Sequence, residues 1–156
     1  MSRIEKKLEK LGYPLSSPPA PIGAYIPAVR TGNIVVTSGQ LPFNGTDLHI
    51  VGKVGLEVTE ADAQQAARLC AINALTHIRT VIGDLDKIIR ILRVEGFVQS
   101  APGYSRQPTV LNGASELLLD LFGDAGRHTR AAVGVSELPL NAAVELSLWV
   151  EVAESS

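Results

Sequence analysis

Two charged residues near the C-terminus, Arg130 and Glu145, are the side chains of this sequence best suited to chemistry on a small acid. The guanidinium of an arginine can hold a carboxylate through two parallel hydrogen bonds. A glutamate that is partly removed from water can orient or deprotonate a water molecule. Together these side chains suit a small substrate that carries a carboxylate. The alternative is a structural ion pair at a subunit contact, since charged pairs in sheets often set register or specificity.

Both residues lie in segments of alternating hydrophobicity, which predict two strands, Thr129 to Ser136 and Ala143 to Val152. Alternation places both Arg130 and Glu145 on the face of the sheet that no helix covers, whereas the distance between them depends on the strand order. In the strand Thr129 to Ser136, the same alternation assigns Ala131, Val133 and Val135 to the opposite face, against the helices. The helix-free face also carries Trp149, so we expect it to meet another copy of the chain in a homo-oligomer.

The other elements follow from hydrophobic periodicity and turn residues. We predict strands over 25–30, 33–38 and 88–100, a further short strand over 48–54, and helices over 2–11, 59–82 and 108–122. A right-handed crossover should join the first long helix to a parallel strand. After the N-terminal helix, the core order is ββαβαββ, an α/β (α+β) fold with two helices on one face of a mixed sheet.

The N-terminal segment is expected to lie outside the main fold. Its helix is short and amphipathic, and we expect it to be peripheral. Four prolines between residues 14 and 21 predict an extended arm that crosses the surface. The folded core should therefore begin near Ile22, which divides the chain into an arm (1–21) and one domain (22–156).

Composition limits the function classes that fit the chain. Its 156 residues carry a formal charge of −2, and 46% of them are hydrophobic, which describes one compact domain. It shows neither a signal peptide nor an apolar run that could cross a membrane, and we expect a cytoplasmic protein. Cys70 is expected to be a buried structural thiol. The acidic balance and the 4% aromatic content disfavour nucleic-acid binding.

Neither a metal nor a cofactor is implied by the sequence. The three histidines, His49, His77 and His128, match no metal-ligand spacing, and the glycines form no phosphate-binding loop. His128 precedes Arg130 by two residues and so shares its strand face, where it could tune a cleft or its response to pH. The alternative is ordinary packing or capping of the loop before the strand.

Two longer segments, 30–42 and 129–139, together with Val144-Glu145-Leu146, resemble the reactive intermediate deaminase superfamily (Rid, formerly YjgF). The resemblance runs from about residue 21 to residue 152, and the N-terminal extension indicates a divergent branch. It implies a homotrimer of chorismate-mutase-like protomers with ligand clefts between subunits, and a last strand inserted antiparallel into the middle of the sheet. The best-known members hydrolyse enamines and imines such as 2-aminoacrylate to a 2-oxo acid and ammonia, without a cofactor.

The resemblance also implies roles for individual residues. Arg130 is similar to the arginine that clamps the substrate carboxylate, and Glu145 to the glutamate that positions the attacking water. The pocket residues that it implies are Tyr25, Ser38, Gly39, Asn112 and Ala132. Three positions depart from the common pattern: Ala132, where many deaminases have cysteine, His128, and Leu146.

Three functions follow as hypotheses. The first is hydrolytic deamination of 2-aminoacrylate-like imines and enamines to 2-oxo acids. The second, motivated by Ala132 and His128, is a trimeric regulatory protein that binds a small carboxylate metabolite without turnover. The third is the endoribonuclease or translation-inhibitor role of the superfamily's older naming, which the acidic charge disfavours. We favour the first.

Overall fold

A computed structural model describes residues 1–15, 20–21 and 23–155 of the chain. Its helices and strands run in the order α1 (Arg3–Lys10), β1 (Ala28–Thr31), β2 (Ile34–Thr37), α2 (Glu60–Ile82), β3 (Ile88–Gln99), α3 (Gln107–Phe122), β4 (Thr129–Val135) and β5 (Val144–Val152). After α1 this is the predicted ββαβαββ order. Short 3₁₀ turns cover 85–87, 123–126 and 139–141.

The five strands form one mixed sheet in the order β1-β2-β5-β3-β4. All neighbouring strands are antiparallel except β3 and β4, which are parallel and are joined through α3. The last strand, β5, therefore lies in the middle of the sheet, as the family resemblance implies. Helices α2 and α3 cover one face, which we call the helix face, and the opposite face is the helix-free face. The predicted fold class is confirmed.

The core fills the space between the helix face and the two long helices. Alternate residues of β5 face the helices and are completely buried: Val144, Leu146, Leu148, Val150 and Val152. Five of the twelve buried residues of helix α2 are alanines, whose small side chains allow close packing. At Gly113 of α3, an added Cβ would lie 2.1 Å from the carbonyl oxygen of Gln64. This close approach fixes α3 against α2, and α3 carries residues of the candidate site.

The N-terminal helix belongs to the core, which corrects the expectation that the core begins near Ile22. Ile4 and Leu8 of α1 are fully buried in the same apolar cluster as the sheet and the long helices. The Asp86 carboxylate accepts hydrogen bonds from two backbone amides at the start of α1, at 2.8 and 3.0 Å. Glu5 pairs with Arg79 of α2 at 2.6 Å. The predicted proline arm lies partly outside the described residues, at 16–19.

Two strand predictions needed correction. No regular strand forms over 48–54, where Val51 and Val54 make only isolated bridges. Gly52 and Gly55 have φ values of +115° and +91°, which turn the backbone away from the extended conformation. Strand β1 begins at Ala28 rather than at residue 25, directly after Pro27, which lacks an amide hydrogen for the sheet.

Candidate active site

Arg130 lies on the helix face of β4, not on the helix-free face that alternation predicted. The parallel register aligns it with Val94 of β3, which is completely buried beneath the helices. Its Nη1 donates hydrogen bonds to Asn112 Oδ1 at 2.9 Å and to Ser115 Oγ at 3.1 Å, both on α3. The prediction failed because β4 is an edge strand whose valines face away from the helices; Val133 is 46% exposed.

A histidine completes this group, which we call the Arg130 cluster (Asn112, Ser115, His128 and Arg130). His128 Nε2 lies 2.8 Å from Ser115 Oγ, and its Nδ1 lies 2.7 Å from the carbonyl oxygen of Gly126. Burial lowers the pKa of His128; the Gly126 carbonyl opposes this shift and the Arg130 charge adds to it. The imidazole is therefore neutral near pH 7.

Sequence reasoning identified Asn112 and Arg130 but missed Ser115 as a member of the cluster. Ser115 follows Asn112 by three residues, a spacing that places both side chains on one face of a helix. That spacing was the available signal. Ala132, also predicted for the pocket, lies two residues beyond Arg130 on the same face and is half-buried.

Four predicted site residues meet elsewhere, at a cavity of about 570 Å³ that we call the Glu145 cavity. Its lining residues are Tyr25, Ser38, Gly39, Leu41, Pro139, Leu140 and Glu145. The wall is largely apolar, and Glu145 is its one ionisable carboxyl group. A cavity of this kind suits a small molecule that needs one polar group placed against a reactive atom.

Gly39 and Gln40 set the position of Glu145. The backbones of Gln40 and Leu146 exchange two hydrogen bonds, at 2.7 and 3.1 Å, which hold the segment after β2 against β5. A Cβ added to Gly39 would lie 2.9 Å from Glu145 Cδ, so only glycine leaves room for the carboxyl group in this position. Burial raises the pKa of Glu145. Its carboxyl group thus exchanges a proton closer to neutrality than an exposed glutamate would.

Part of the cavity wall is the loop 138–141, which sequence reasoning did not assign to the site. Leu140 and Asn141 have φ values of +56° and +60°, in the left-handed region that non-glycine residues rarely adopt. The completely buried Gln99 holds this loop: its amide donates to Gly52 O at 2.9 Å and to Asn141 Oδ1 at 2.8 Å. Its carbonyl accepts from the amide of Leu138 at 2.7 Å. Gln99 therefore supports the loop that presents Leu140 to the cavity.

Within one chain, the Arg130 cluster and the Glu145 cavity lie on opposite faces of the sheet. Phe97 of β3 aligns with Glu145 on one side and with Val133 on the other, three residues beyond Arg130. Arg130 points toward α3, whereas Glu145 is on the helix-free face. A single chain therefore does not bring the two charged side chains together.

Cys70 is completely buried, as expected, and burial raises its pKa well above the ordinary value, so its thiol stays protonated. The described residues contain no cluster of three or more histidine, cysteine or acidic side chains that could hold a metal ion. None of the helices in the described part of the chain is both long and apolar enough to span a membrane.

Comparison with known proteins decides the family. The family model described as "YjgF/chorismate_mutase-like, putative endoribonuclease" matches residues 5–152. The chain belongs to the YjgF/Rid family. The match begins at residue 5 and so includes most of α1, whereas the sequence resemblance alone began near residue 21.

The relatives of this YjgF/Rid protein match most of its length, but their descriptions differ. The crystal structure of Atu1372 from Agrobacterium tumefaciens, of unknown function, has 42% identity and a TM-score of 0.91, with coverage of 97% of this chain and 93% of that chain. Protein TCP17 of Trypanosoma cruzi is 40% identical over 151 residues, 96% of this chain and 94% of that protein. A 2-iminobutanoate/2-iminopropanoate deaminase of Dermatophagoides farinae is 30% identical over 135 residues, 86% and 90% of the two chains.

Proposed function

We propose that this protein hydrolyses reactive imines and enamines of small amino acids, such as 2-aminoacrylate, to 2-oxo acids and ammonia. The observation that carries the proposal is the half-buried Glu145 carboxyl group, with its raised pKa, in a largely apolar cavity of about 570 Å³. The similarity to an imine deaminase, at 30% identity, supports the same reaction.

Glu145 would act as the general base and then as the general acid. The imine carbon is already electrophilic, so the reaction needs one positioned water molecule and a site for its proton. As the water oxygen bonds to this carbon, Glu145 takes a proton from the water. It then gives this proton to the nitrogen, which forms a carbinolamine. Glu145 next moves the proton of the added hydroxyl group to the nitrogen, so that the carbon–nitrogen bond breaks, ammonia leaves and the carbonyl of the 2-oxo acid forms.

Arg130 would bind the substrate carboxylate. Among the described residues, its hydrogen bonds to Asn112 and Ser115 engage Nη1 alone. The edge formed by Nε and Nη2 is the one that can bind a carboxylate through two parallel hydrogen bonds. Arg130 as a residue is partly buried, and a charge-assisted hydrogen bond is stronger in such surroundings than in bulk water.

Because the two groups lie on opposite faces of one sheet, the proposed reaction needs two copies of the chain. We infer that Arg130 of one copy faces the Glu145 cavity of the next, in a homotrimer. The exposed apolar side chains of the sheet support such a contact: Ile34 is 39% exposed, Val133 46% and Trp149 39%. A closed ring of identical copies would repeat this composite site at each contact.

The test supplies 2-aminoacrylate from a pyridoxal-phosphate-dependent serine lyase and follows release of pyruvate. We expect wild-type protein to accelerate release, and Arg130→Ala and Glu145→Gln to remove the acceleration. His49→Gln is the matched control, because His49 is an exposed residue outside both groups. Saturable pyruvate binding by a wild-type protein that accelerates no imine hydrolysis would contradict the proposal and favour the metabolite-binding role.

A further inference from the structure

The hydrogen bonds of the Arg130 cluster form a continuous chain from the backbone to the guanidinium. It runs from the Gly126 carbonyl through His128 and Ser115 to Arg130 Nη1, with distances of 2.7, 2.8 and 3.1 Å. An added Cβ at Gly126 would lie 2.3 Å from the carbonyl oxygen of Leu118, so this glycine lets the turn pack against α3. The packed turn brings its carbonyl to the histidine ring.

The chemistry of these groups fixes the direction of each hydrogen bond. A carbonyl oxygen can only accept, so His128 Nδ1 carries the ring proton of the neutral form. Nε2 then has a free lone pair and accepts from the Ser115 hydroxyl. The Ser115 oxygen in turn accepts from Arg130, which can only donate. Each donor in this series of hydrogen bonds therefore meets an acceptor on the next group.

We propose that His128 and Ser115 are positioning residues that hold the Arg130 guanidinium with its free edge directed toward the substrate carboxylate. This inference rests on the proposed role of Arg130 as the carboxylate clamp. An unsupported arginine side chain has several rotatable bonds, and it would lose that freedom each time it bound a carboxylate. The chain of hydrogen bonds removes part of that freedom before binding.

Protonation of His128 would break the chain at one point. Nε2 would become a donor, so the Ser115 hydroxyl would lose its acceptor, and a second positive charge would stand close to Arg130. Arg130 is the charged side chain that acts on the ring. Asp124 and Arg127, on the turn that carries Gly126, are exposed and pair with each other at 3.4 Å. Carboxylate binding should therefore weaken as pH falls through the lowered pKa of His128.

Calorimetry with pyruvate as the probe, from about pH 5 to pH 8, tests this with the full-length protein. His128→Gln keeps an acceptor near the position of Nε2 but does not titrate, whereas His128→Leu removes the acceptor. We expect wild-type Kd to rise about fivefold at the acidic end, as loss of one hydrogen bond would produce. His128→Gln should bind as tightly as wild type at neutral pH and should lack the part of the acidic weakening that comes from His128. His128→Leu and Ser115→Ala should bind about fivefold more weakly throughout.

The other outcomes separate this inference from the function on which it rests. His49→Gln should reproduce the wild-type profile, and circular dichroism should show that each variant is folded. If Arg130→Ala binds pyruvate as wild type does, the clamp and this inference are both overturned. If binding depends on Arg130 but not on His128 or Ser115, this inference alone is overturned. Binding at acidic pH that is tighter for wild type than for His128→Gln would also overturn it, because His128 would then act as a direct positive charge.

Discussion

The Arg130 cluster and the Glu145 cavity are built in different ways. In the Arg130 cluster, side chains of a helix and a strand bond directly to one another, and close packing at Gly113 fixes the helix. In the cavity, one strand residue, Glu145, is accompanied by three segments outside the strands: one before β1, one after β2, and the loop 138–141. That loop depends on Gln99 for its position. The cluster is a rigid anchor, whereas the cavity has a wall that loop changes can reshape.

This difference suggests a division of labour in the proposed reaction. The carboxylate is the part that 2-imino acids share, and a rigid arginine suits a group that does not vary. The remainder of the substrate varies in size and would meet the loop residues of the cavity wall, such as Leu140. Loops tolerate sequence change better than packed helices and strands do.

The largest effect is expected when Arg130 and Glu145 are removed on different copies of the chain. We expect Arg130→Ala and Glu145→Gln to be at least about 100-fold less active as separate proteins, since each removes a group central to the reaction. When the two variants are expressed together, about a quarter of the contacts should pair an intact Arg130 with an intact Glu145. The 2-aminoacrylate assay should then recover about a quarter of wild-type activity.

The control is coexpression of two copies of the same variant, done once with Arg130→Ala and once with Glu145→Gln. Mixed oligomers must first be demonstrated, for example by differential tags. If they form and activity stays at the level of the separate variants, then Arg130 and Glu145 act within one chain or do not act together, and the composite site is wrong.

A substitution at Gln99 should weaken the cavity wall and leave the Arg130 cluster unchanged. Gln99→Leu removes the partners of the Leu138 amide, the Gly52 carbonyl and the Asn141 side chain. We expect a loss of about 2–3 kcal/mol in the free energy of unfolding, because buried polar groups would lack partners. Urea denaturation measures it. Gln99→Glu keeps the acceptor for Leu138, but its carboxylate cannot donate to the Gly52 carbonyl, so it should be destabilised as well. Equal stability of Gln99→Leu and wild type would contradict the supporting role.

A substitution at Gly39 should narrow the space around Glu145. Gly39→Ala places a methyl group 2.9 Å from Glu145 Cδ and should displace the carboxyl group. We expect deaminase activity to fall about tenfold, since small displacements of a reacting group are costly. Gly134→Ala on β4 is the matched control, because its methyl would meet the flexible end of Gln107 instead. Equal activities of the two variants would show that the position of Glu145 is not critical.

The two regions also differ in how well the sequence predicted them. Periodicity predicted the ββαβαββ order and the face of Glu145, because β5 is a central strand whose helix side is entirely apolar. The same reasoning inverted the face of Arg130. On the edge strand β4, Val133 faces away from the helices, so hydrophobicity there does not mark the core of this chain. Alternation identifies a buried face but does not say which neighbour buries it.

Sequence patterns did not predict the residues whose roles depend on backbone conformation or on contacts that are distant in the sequence. Leu140 enters the cavity wall because its φ is +56°, and no residue type at that position signals a left-handed conformation. Gln99 is a polar residue in a buried strand, and its role depends on a loop about forty residues away in the sequence. The burial of α1 was missed for a similar reason: its amphipathic pattern is equally typical of a peripheral helix.

The smallest expected effect concerns the stability cost of keeping Glu145 in its cavity. Burial raises its pKa in the folded state above the ordinary value of 4.5, so the folded protein binds this proton more tightly than the unfolded chain does. The unfavourable contribution of Glu145 is therefore fully present above the raised pKa and disappears below the unfolded value. Glu145→Gln should be slightly more stable than wild type near pH 7, and the difference should vanish at acidic pH. Thermal denaturation across this pH range measures the difference in stability, with Glu137→Gln as a control at an exposed glutamate. If Glu145→Gln is less stable than wild type at pH 7, Glu145 serves the fold rather than the cavity.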